Sequence, residues 1–244
     1  KDINNIINLQ AIDELDFIKE KNNNIEVGAA TPLIKFEKFI LKYYPDFNSV
    51  LKRYGSVQIR NVCTIGGNIA TASPIGDTLP ILLSLNSEIV IETTKNKKIL
   101  PLKNFFLSYR KTKLKKGEFI YSIKIPIYKN NVFKAYKISK RFDDDISSLC
   151  ASFNLEIVNK KIKKAIIAYG GMAEIPKRAT NCENFLNNTN LSLDTFEKAK
   201  IFLEKDFTPI DDMRATKDYR IEVAKNLLIK FFLEIKSNKL IRLN

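Results

Sequence analysis

The sequence is 244 residues long and 45% apolar, enough for one large or two modest globular domains with a proper core. Histidine is absent and the three cysteines (Cys63, Cys150 and Cys182) are far apart and odd in number; this excludes imidazole metal sites and histidine triads and argues against a disulfide framework. The formal charge of +14 invites nucleic acid, but the lysines are scattered through polar turns without a groove-reading motif and no apolar run nears ~20 residues, so neither nucleic acid nor a membrane is an expected partner.

In chain order, Ile25 to Ala29 reads as a strand. Thr31-Pro32 then looks like an N-cap and a first-turn proline, opening a helix that carries Leu33, Phe36, Phe39, Ile40 and Tyr43 at helical spacing. A second helix is predicted from Asp46 to Tyr54, stopped by Gly55. Val57 to Arg60 alternates like a strand and leads into Thr64-Ile65-Gly66-Gly67-Asn68, read as a turn. Leu79 to Leu85 is a short apolar helix, Glu88 to Thr93 a strand, and the Lys/Asn cluster behind it a hairpin turn. Phe119 to Ile127 alternates as a strand. Beyond a polar connection at Tyr128 to Asn131 come three strands, Val132 to Ser139, Leu149 to Val158 and Ile162 to Tyr169, the last two joined by Asn159-Lys160. Helices follow at Leu193 to Glu204 and Lys217 to Ile235. The fold class expected is α+β in two domains, residues 1–129 and 130–244.

Chemistry concentrates around the glycine pair. With only 8 glycines in the chain, Gly66-Gly67 is a notable conformational expense. Two glycines in a turn let backbone N–H groups approach a diphosphate, with Thr64 and Asn68 as flanking side-chain donors. Asp77 could accept from a ribityl or ribose hydroxyl. A tight turn followed by an N-cap aspartate explains the same residues without a ligand.

The segment Thr64-Ile65-Gly66-Gly67-Asn68, followed by Ala72-Ser73-Pro74-Ile75-Gly76-Asp77, resembles the FAD-binding part of the molybdenum hydroxylases. That family includes xanthine dehydrogenase, aldehyde oxidase and carbon monoxide dehydrogenase. Further matches are Tyr109-Arg110-Lys111-Thr112, the stretch Gly117 to Pro126, Lys137 to Ile146, Gly170-Gly171-Met172-Ala173 and Pro176-Lys177-Arg178-Ala179. Asp206 to Ala215, with Tyr219-Arg220, is especially like the small subunits of bacterial xanthine dehydrogenases. The resemblance implies a PCMH-type FAD-binding subdomain followed by a C-terminal flavin-associated domain, a three-stranded sheet with helices. It implies that Thr64, Ile65, Gly66, Gly67 and Asn68 hold the FAD pyrophosphate. It also implies that Asp77, Tyr54, Ile120 and Lys137 contact the cofactor, although Tyr54 and Ile120 equally suit the core and Lys137 a solvated surface. No catalytic residue and no metal ligand is expected in this chain.

The implied function is electron relay in the cytoplasm during purine oxidation. Electrons from two-iron two-sulfur clusters, on an iron–sulfur domain beside a molybdopterin subunit, would pass through FAD to NAD+. Aldehyde, carbon monoxide or nicotinate-type dehydrogenases and an FAD-free assembly scaffold are the alternatives. The family's earlier glycine-rich loop is expected upstream of Lys1, so weak FAD binding by a shortened chain is a further expectation.

Overall fold

The computed structural model describes residues 7–237. Residues 1–6 and 238–244, the outer ends of the two expected domains, lie outside the described residues, and with them the expectation attached to Lys1.

Two 3₁₀ turns, Leu9–Ala11 and Asp13–Leu15, lead into strands β1 (Ile18–Lys21) and β2 (Asn24–Gly28). Five helices follow: α1 (Leu33–Ile40), α2 (Pro45–Lys52), α3 (Val57–Val62), α4 (Ile65–Thr71) and α5 (Thr78–Ser84). The hairpin β3 (Glu88–Glu92) and β4 (Lys97–Pro101), a 3₁₀ turn at Leu102–Asn104 and the small hairpin β5 (Phe106–Ser108) and β6 (Lys111–Thr112) precede β7 (Phe119–Pro126). The rest comprises β8 (Asn131–Ile138), β9 (Leu149–Val158), β10 (Lys161–Gly170), β11 (Lys177–Arg178), α6 (Thr180–Leu186), β12 (Thr189–Asn190), α7 (Leu193–Asp206) and α8 (Lys217–Ser237).

The first sheet is antiparallel with order β1-β2-β7-β3-β4, so β7 closes the sheet by inserting between strands far from it in sequence. Ile25, Val27, Ile89, Ile91, Ile123 and Ile125 line its core together with Leu33, Phe36 and Ile40 from α1. Each such side chain contributes about 1.5–3 kcal/mol when fully removed from water. The second sheet has order β11-β10-β9-β8, with β12 also pairing β10. Its three long strands are those expected, and β11 and β12 add short edges. Strand β9 is covered on both faces. Leu149, Ala151, Phe153 and Leu155 pack with α7 and α8, where Phe153 stacks on Phe231 at 4.8 Å. Cys150, Ser152 and Asn154 face the other way, toward α5, where Ser152 Oγ meets Ser84 Oγ at 2.6 Å and Asn154 Nδ2 donates to the Ser84 carbonyl at 3.0 Å. Helix α5 is thereby the shared wedge between the two sheets, which explains why it is buried all round, with Thr78 and Ser84 at its ends satisfied by hydrogen bonds.

Three expectations need correction. Val57 to Arg60 is not a strand but the start of α3, because the Ser56 hydroxyl accepts from Ile59 N at 3.3 Å and caps a helix. Its apolar alternation is a surface feature, with Val57 53% and Ile59 46% exposed, whereas Arg60 is buried against Glu37 of α1 at 3.0 Å. Thr31 does not cap α1; its hydroxyl donates to the Phe17 carbonyl at 3.1 Å. The glycine pair is not in a turn after a strand but in the first turn of α4, capped by Thr64.

Candidate functional site

Thr64 has extended backbone and its Oγ1 accepts from Gly67 N at 3.0 Å. The other amides at this helix end also have partners. Ile65 N donates to the Thr31 carbonyl at 3.2 Å, Gly66 N to the Ala29 carbonyl at 3.0 Å and Asn68 N to the Thr64 carbonyl at 3.0 Å. The expected cradle of free glycine amides is therefore absent in that form. Of the four, only the Gly67 amide has a side-chain partner, one that a rotation could release. The two glycines also differ in purpose. A Cβ on Gly66 would lie 2.5 Å from Ala29 Cβ and 2.7 Å from its carbonyl oxygen, so Gly66 lets α4 press on the chain leaving β2. A Cβ on Gly67 would meet only Thr64 Oγ1, at 2.9 Å. Ile65 is wholly buried in the core, so its side chain packs, and its amide already donates to the Thr31 carbonyl.

Around the cap, long-range pairs assemble a polar wall. Asn68 Nδ2 donates to Tyr54 Oη at 2.9 Å, and Asn68 Oδ1 accepts from Thr78 Oγ1 at 2.5 Å. Burial pushes the Tyr54 phenol up to about 12. Asp77 occupies the N-cap position of α5 but makes no side-chain cap bond. Its carboxylate instead meets Lys137 Nζ of β8 at 2.7 Å and accepts from Ser147 Oγ at 2.5 Å, both partners lying in the second half of the chain. Lys137 and Asp77 are almost completely buried, so this ion pair is held by reciprocal satisfaction at a desolvation cost. Beneath it the Cys150 thiol is raised well above its ordinary range by burial and then by the Asp77 charge, which makes it an inert packing group.

These residues surround two adjoining clefts. One, of about 710 Å³, is lined by Tyr54, Thr64, Gly67, Asn68, Asp77 and Lys137, among others. The second, of about 660 Å³, contains Ala29, Thr64, Gly66, Gly67, Leu114 and Ile120. Thr64 and Gly67 border both clefts and stand between them. Of the expected site residues, Tyr54, Thr64, Gly67, Asn68, Asp77 and Lys137 therefore converge on one cleft. Gly66 and Ile120 lie in its neighbour, with Ile120 only 4% exposed. Thr78, Ser147 and Arg214 were not expected as site residues; Thr78 and Ser147 carry no local motif, Arg214 lies in the Asp206 to Ala215 segment read only as a family likeness, and all three enter through contacts made by folding.

Residues 1–128 match the family described as the FAD binding domain in molybdopterin dehydrogenase, and residues 134–235 match the CO dehydrogenase flavoprotein C-terminal domain. The chain belongs to the FAD-binding modules of the molybdenum hydroxylase family. It is 29% identical to xanthine dehydrogenase of Oryza sativa subsp. japonica, across 94% of this chain and 18% of that protein. It is 27% identical to the glyceraldehyde dehydrogenase medium chain of Sulfolobus acidocaldarius, across 94% of this chain and 82% of that one. The fold superposes on reconstituted CO dehydrogenase from Oligotropha carboxidovorans with a TM-score of 0.87 at 23% identity, covering 95% of this chain and 82% of that chain. The chain spans less than a fifth of the length of the xanthine dehydrogenases it matches. It is thus a flavin module of that family, and the residues present fit FAD. The cleft side of α4 is kept bare by Gly67, hydroxyl and amide donors flank it, and the joined clefts are of ligand size. Among the described residues, no helix is long and apolar enough to cross a membrane and no cluster could hold a metal ion.

Proposed function

We propose that the chain is the FAD-carrying electron-transfer module of a xanthine dehydrogenase. Its partners would be a molybdenum-cofactor subunit and an iron–sulfur domain, and its electron acceptor NAD+. Residues 1–129 and 130–244 would form the two domains. The observation that carries the reading is the Lys137–Asp77 pair, which joins the two halves of the chain on the wall of the cleft that Gly67 and Tyr54 also line. The likeness to xanthine dehydrogenases and the segment Pro209 to Ala215 support the purine assignment. Three free cysteines support a reducing, cytoplasmic setting.

FAD, when bound, supplies the junction between one-electron carriers and two-electron hydride chemistry. The chain's own tasks are binding and positioning. Thr64 can turn its hydroxyl from the Gly67 amide to a phosphate, leaving that amide as a second donor. Asn68, already oriented by Tyr54 and Thr78, adds a third. Ile65 and Gly66 fix α4 on the sheet. Asp77 and Lys137 present the polar wall, Ile120 an apolar one, and Tyr54 a ring that stays un-ionised at physiological pH. No side chain needs to act as an acid or base, which agrees with the absence of histidine.

The test is a titration of the purified chain with FAD, read by quenching of flavin fluorescence, with FMN alongside. Saturable binding of FAD in preference to FMN is expected, and failure of the full-length protein to bind FAD would overturn the flavin assignment. NADH formation from xanthine by the complex with its molybdenum subunit tests the finer reading. A complex that oxidises only aldehydes would instead favour the second reading, an aldehyde dehydrogenase module, which the 82% coverage of the glyceraldehyde dehydrogenase medium chain supports.

A further inference from the structure

The segment Asp211 to Ala215 is built as a rigid bracket. Asp211 Oδ1 accepts from Lys217 N at 2.6 Å and so closes the start of α8. Asp212 Oδ1 accepts from Arg214 N at 2.8 Å and Ala215 N at 3.1 Å. From outside, Lys140 Nζ donates to the Met213 carbonyl at 2.8 Å and Ser148 Oγ to the Arg214 carbonyl at 3.2 Å. Arg220, wholly buried, ties the same bracket to the sheet through the carbonyls of Ser148 and Gly171 and through Asp212 Oδ1 at 2.7 Å. The backbone of Arg214 is fixed by these contacts while its side chain, 28% exposed, lines the cofactor cleft and the adjoining surface cavity at Ser139, Lys140 and Tyr219.

Charge counting leaves a surplus positive charge beside this residue. One carboxylate, Asp212, serves two guanidinium groups, and the shorter contact belongs to Arg220; Arg214 Nη1 reaches Asp212 Oδ2 only at 3.2 Å. One positive charge is therefore left over, and the exposed member of the pair carries it to the cleft. Among the other charged residues there, Lys137 cancels Asp77, and Asp145 has Arg141 at 3.6 Å. Arg110 and Asp144 line the same cleft without an ion pair among the described residues. A guanidinium offers five donors in a planar fork suited to phosphate oxygens, and only one of those of Arg214 has a hydrogen-bond partner in the structure.

We propose that Arg214 is a phosphate-binding residue of this cleft, presented by the Asp212–Arg220 bracket to the diphosphate of a dinucleotide. The inference rests on the flavin reading above and extends it to a residue outside the glycine segment. The diphosphate belongs either to FAD or to the nicotinamide dinucleotide that exchanges electrons with it, and the experiment separates the two.

Wild type, Arg214→Gln and Arg214→Lys are titrated with FAD by fluorescence quenching. The FAD-loaded proteins are then assayed for NADH-dependent dye reduction at low and moderate salt, with thermal midpoints recorded for all. Loss of one charge-assisted phosphate contact weakens binding by about ten-fold or more. A rise of that size in the FAD Kd of Arg214→Gln assigns the phosphate to FAD. The same rise in the NADH KM, with kcat and FAD affinity unchanged, assigns it to the acceptor. In both cases Arg214→Lys retains most of the affinity, and added salt shrinks the difference between wild type and Arg214→Gln. Normal FAD affinity and NADH KM in Arg214→Gln, or losses that merely follow a lowered thermal midpoint, would overturn the proposal while leaving the flavin reading intact. Failure of wild type to bind FAD would sink both together.

Discussion

Replacing each glycine of the pair by alanine separates packing from ligand contact. In Gly66→Ala the new Cβ would sit 2.5 Å from Ala29 Cβ, 2.7 Å from its carbonyl oxygen and 2.8 Å from its Cα. These are backbone and near-backbone atoms of the chain leaving β2, so α4 must retreat. Such overpacking costs roughly 1–3 kcal/mol. Stretching the Gly66 N to Ala29 O bond and the neighbouring Ile65 N to Thr31 O bond adds about 1 kcal/mol. Alanine's better helix propensity returns about 1 kcal/mol, leaving a net loss of about 1–3 kcal/mol and a fall in Tm of roughly 2–12 °C. In Gly67→Ala the only near atom is Thr64 Oγ1, the end of a rotatable side chain. Its cap is worth about 1 kcal/mol, nearly offset by the same propensity gain. Urea unfolding and FAD titration of both variants give the expected outcome. Gly66→Ala loses stability, and affinity follows from that loss; Gly67→Ala keeps its stability and loses FAD affinity through the methyl in the cleft. Equal stability losses in the two variants, or a fully stable Gly66→Ala, would refute the division of roles.

Lys137→Met leaves the buried Asp77 carboxylate with Ser147 as its remaining side-chain partner and should cost about 3–5 kcal/mol in denaturant unfolding; adding Asp77→Asn should recover part of that loss, as a coupled pair requires. Tyr44 and Tyr54 are both pushed up to about 12 by burial, above the ordinary phenol value of 10. Each therefore contributes stability that is complete below pH 10 and is lost as pH rises toward 12, so unfolding midpoints should fall across that alkaline window. Tyr44→Phe should lower stability at pH 7 by about 1–3 kcal/mol, since Pro126 O and Tyr128 N lose their partner, yet show a shallower alkaline decline. Arg53→Lys removes most of a fork that donates to the carbonyls of Phe142 and Lys137 and to Ser139 Oγ and lies 4.3 Å over the Phe142 ring. Limited proteolysis should then cut faster between residues 139 and 147.

Where burial and periodicity agree, the elements were legible from the residues alone. Strand β7 and the paired strands β9 and β10 fall where alternation and the Asn159-Lys160 turn put them. Val57 to Arg60 misled because its alternation of apolar residues is exposed, and period-2 reading presumes that apolar residues mark the inner face. The small elements α6, β11 and β12 have no such periodic signal; they are held by side chains arriving from elsewhere, as when Asp206 accepts from the amides of Asn181 and Cys182.

The same distinction governs the site. The glycine pair and Asp77 stand out in the sequence, but what they do depends on partners that no spacing rule supplies. Lys137 is 60 residues from Asp77 and Ser147 is 70, and neither could be matched to that carboxylate before β8 and the loop after it were folded against α5. Gly66 looked like a ligand residue because a glycine pair suggests open amides, yet its missing side chain serves the contact of α4 with Ala29. A motif thus marks where backbone geometry is constrained. Whether the constraint serves packing or a ligand is decided by what fills the place a side chain would take, and in α4 that differs between two successive glycines: although both border a cleft, Ala29 occupies the Cβ position of Gly66, whereas that of Gly67 meets only the rotatable Thr64 hydroxyl.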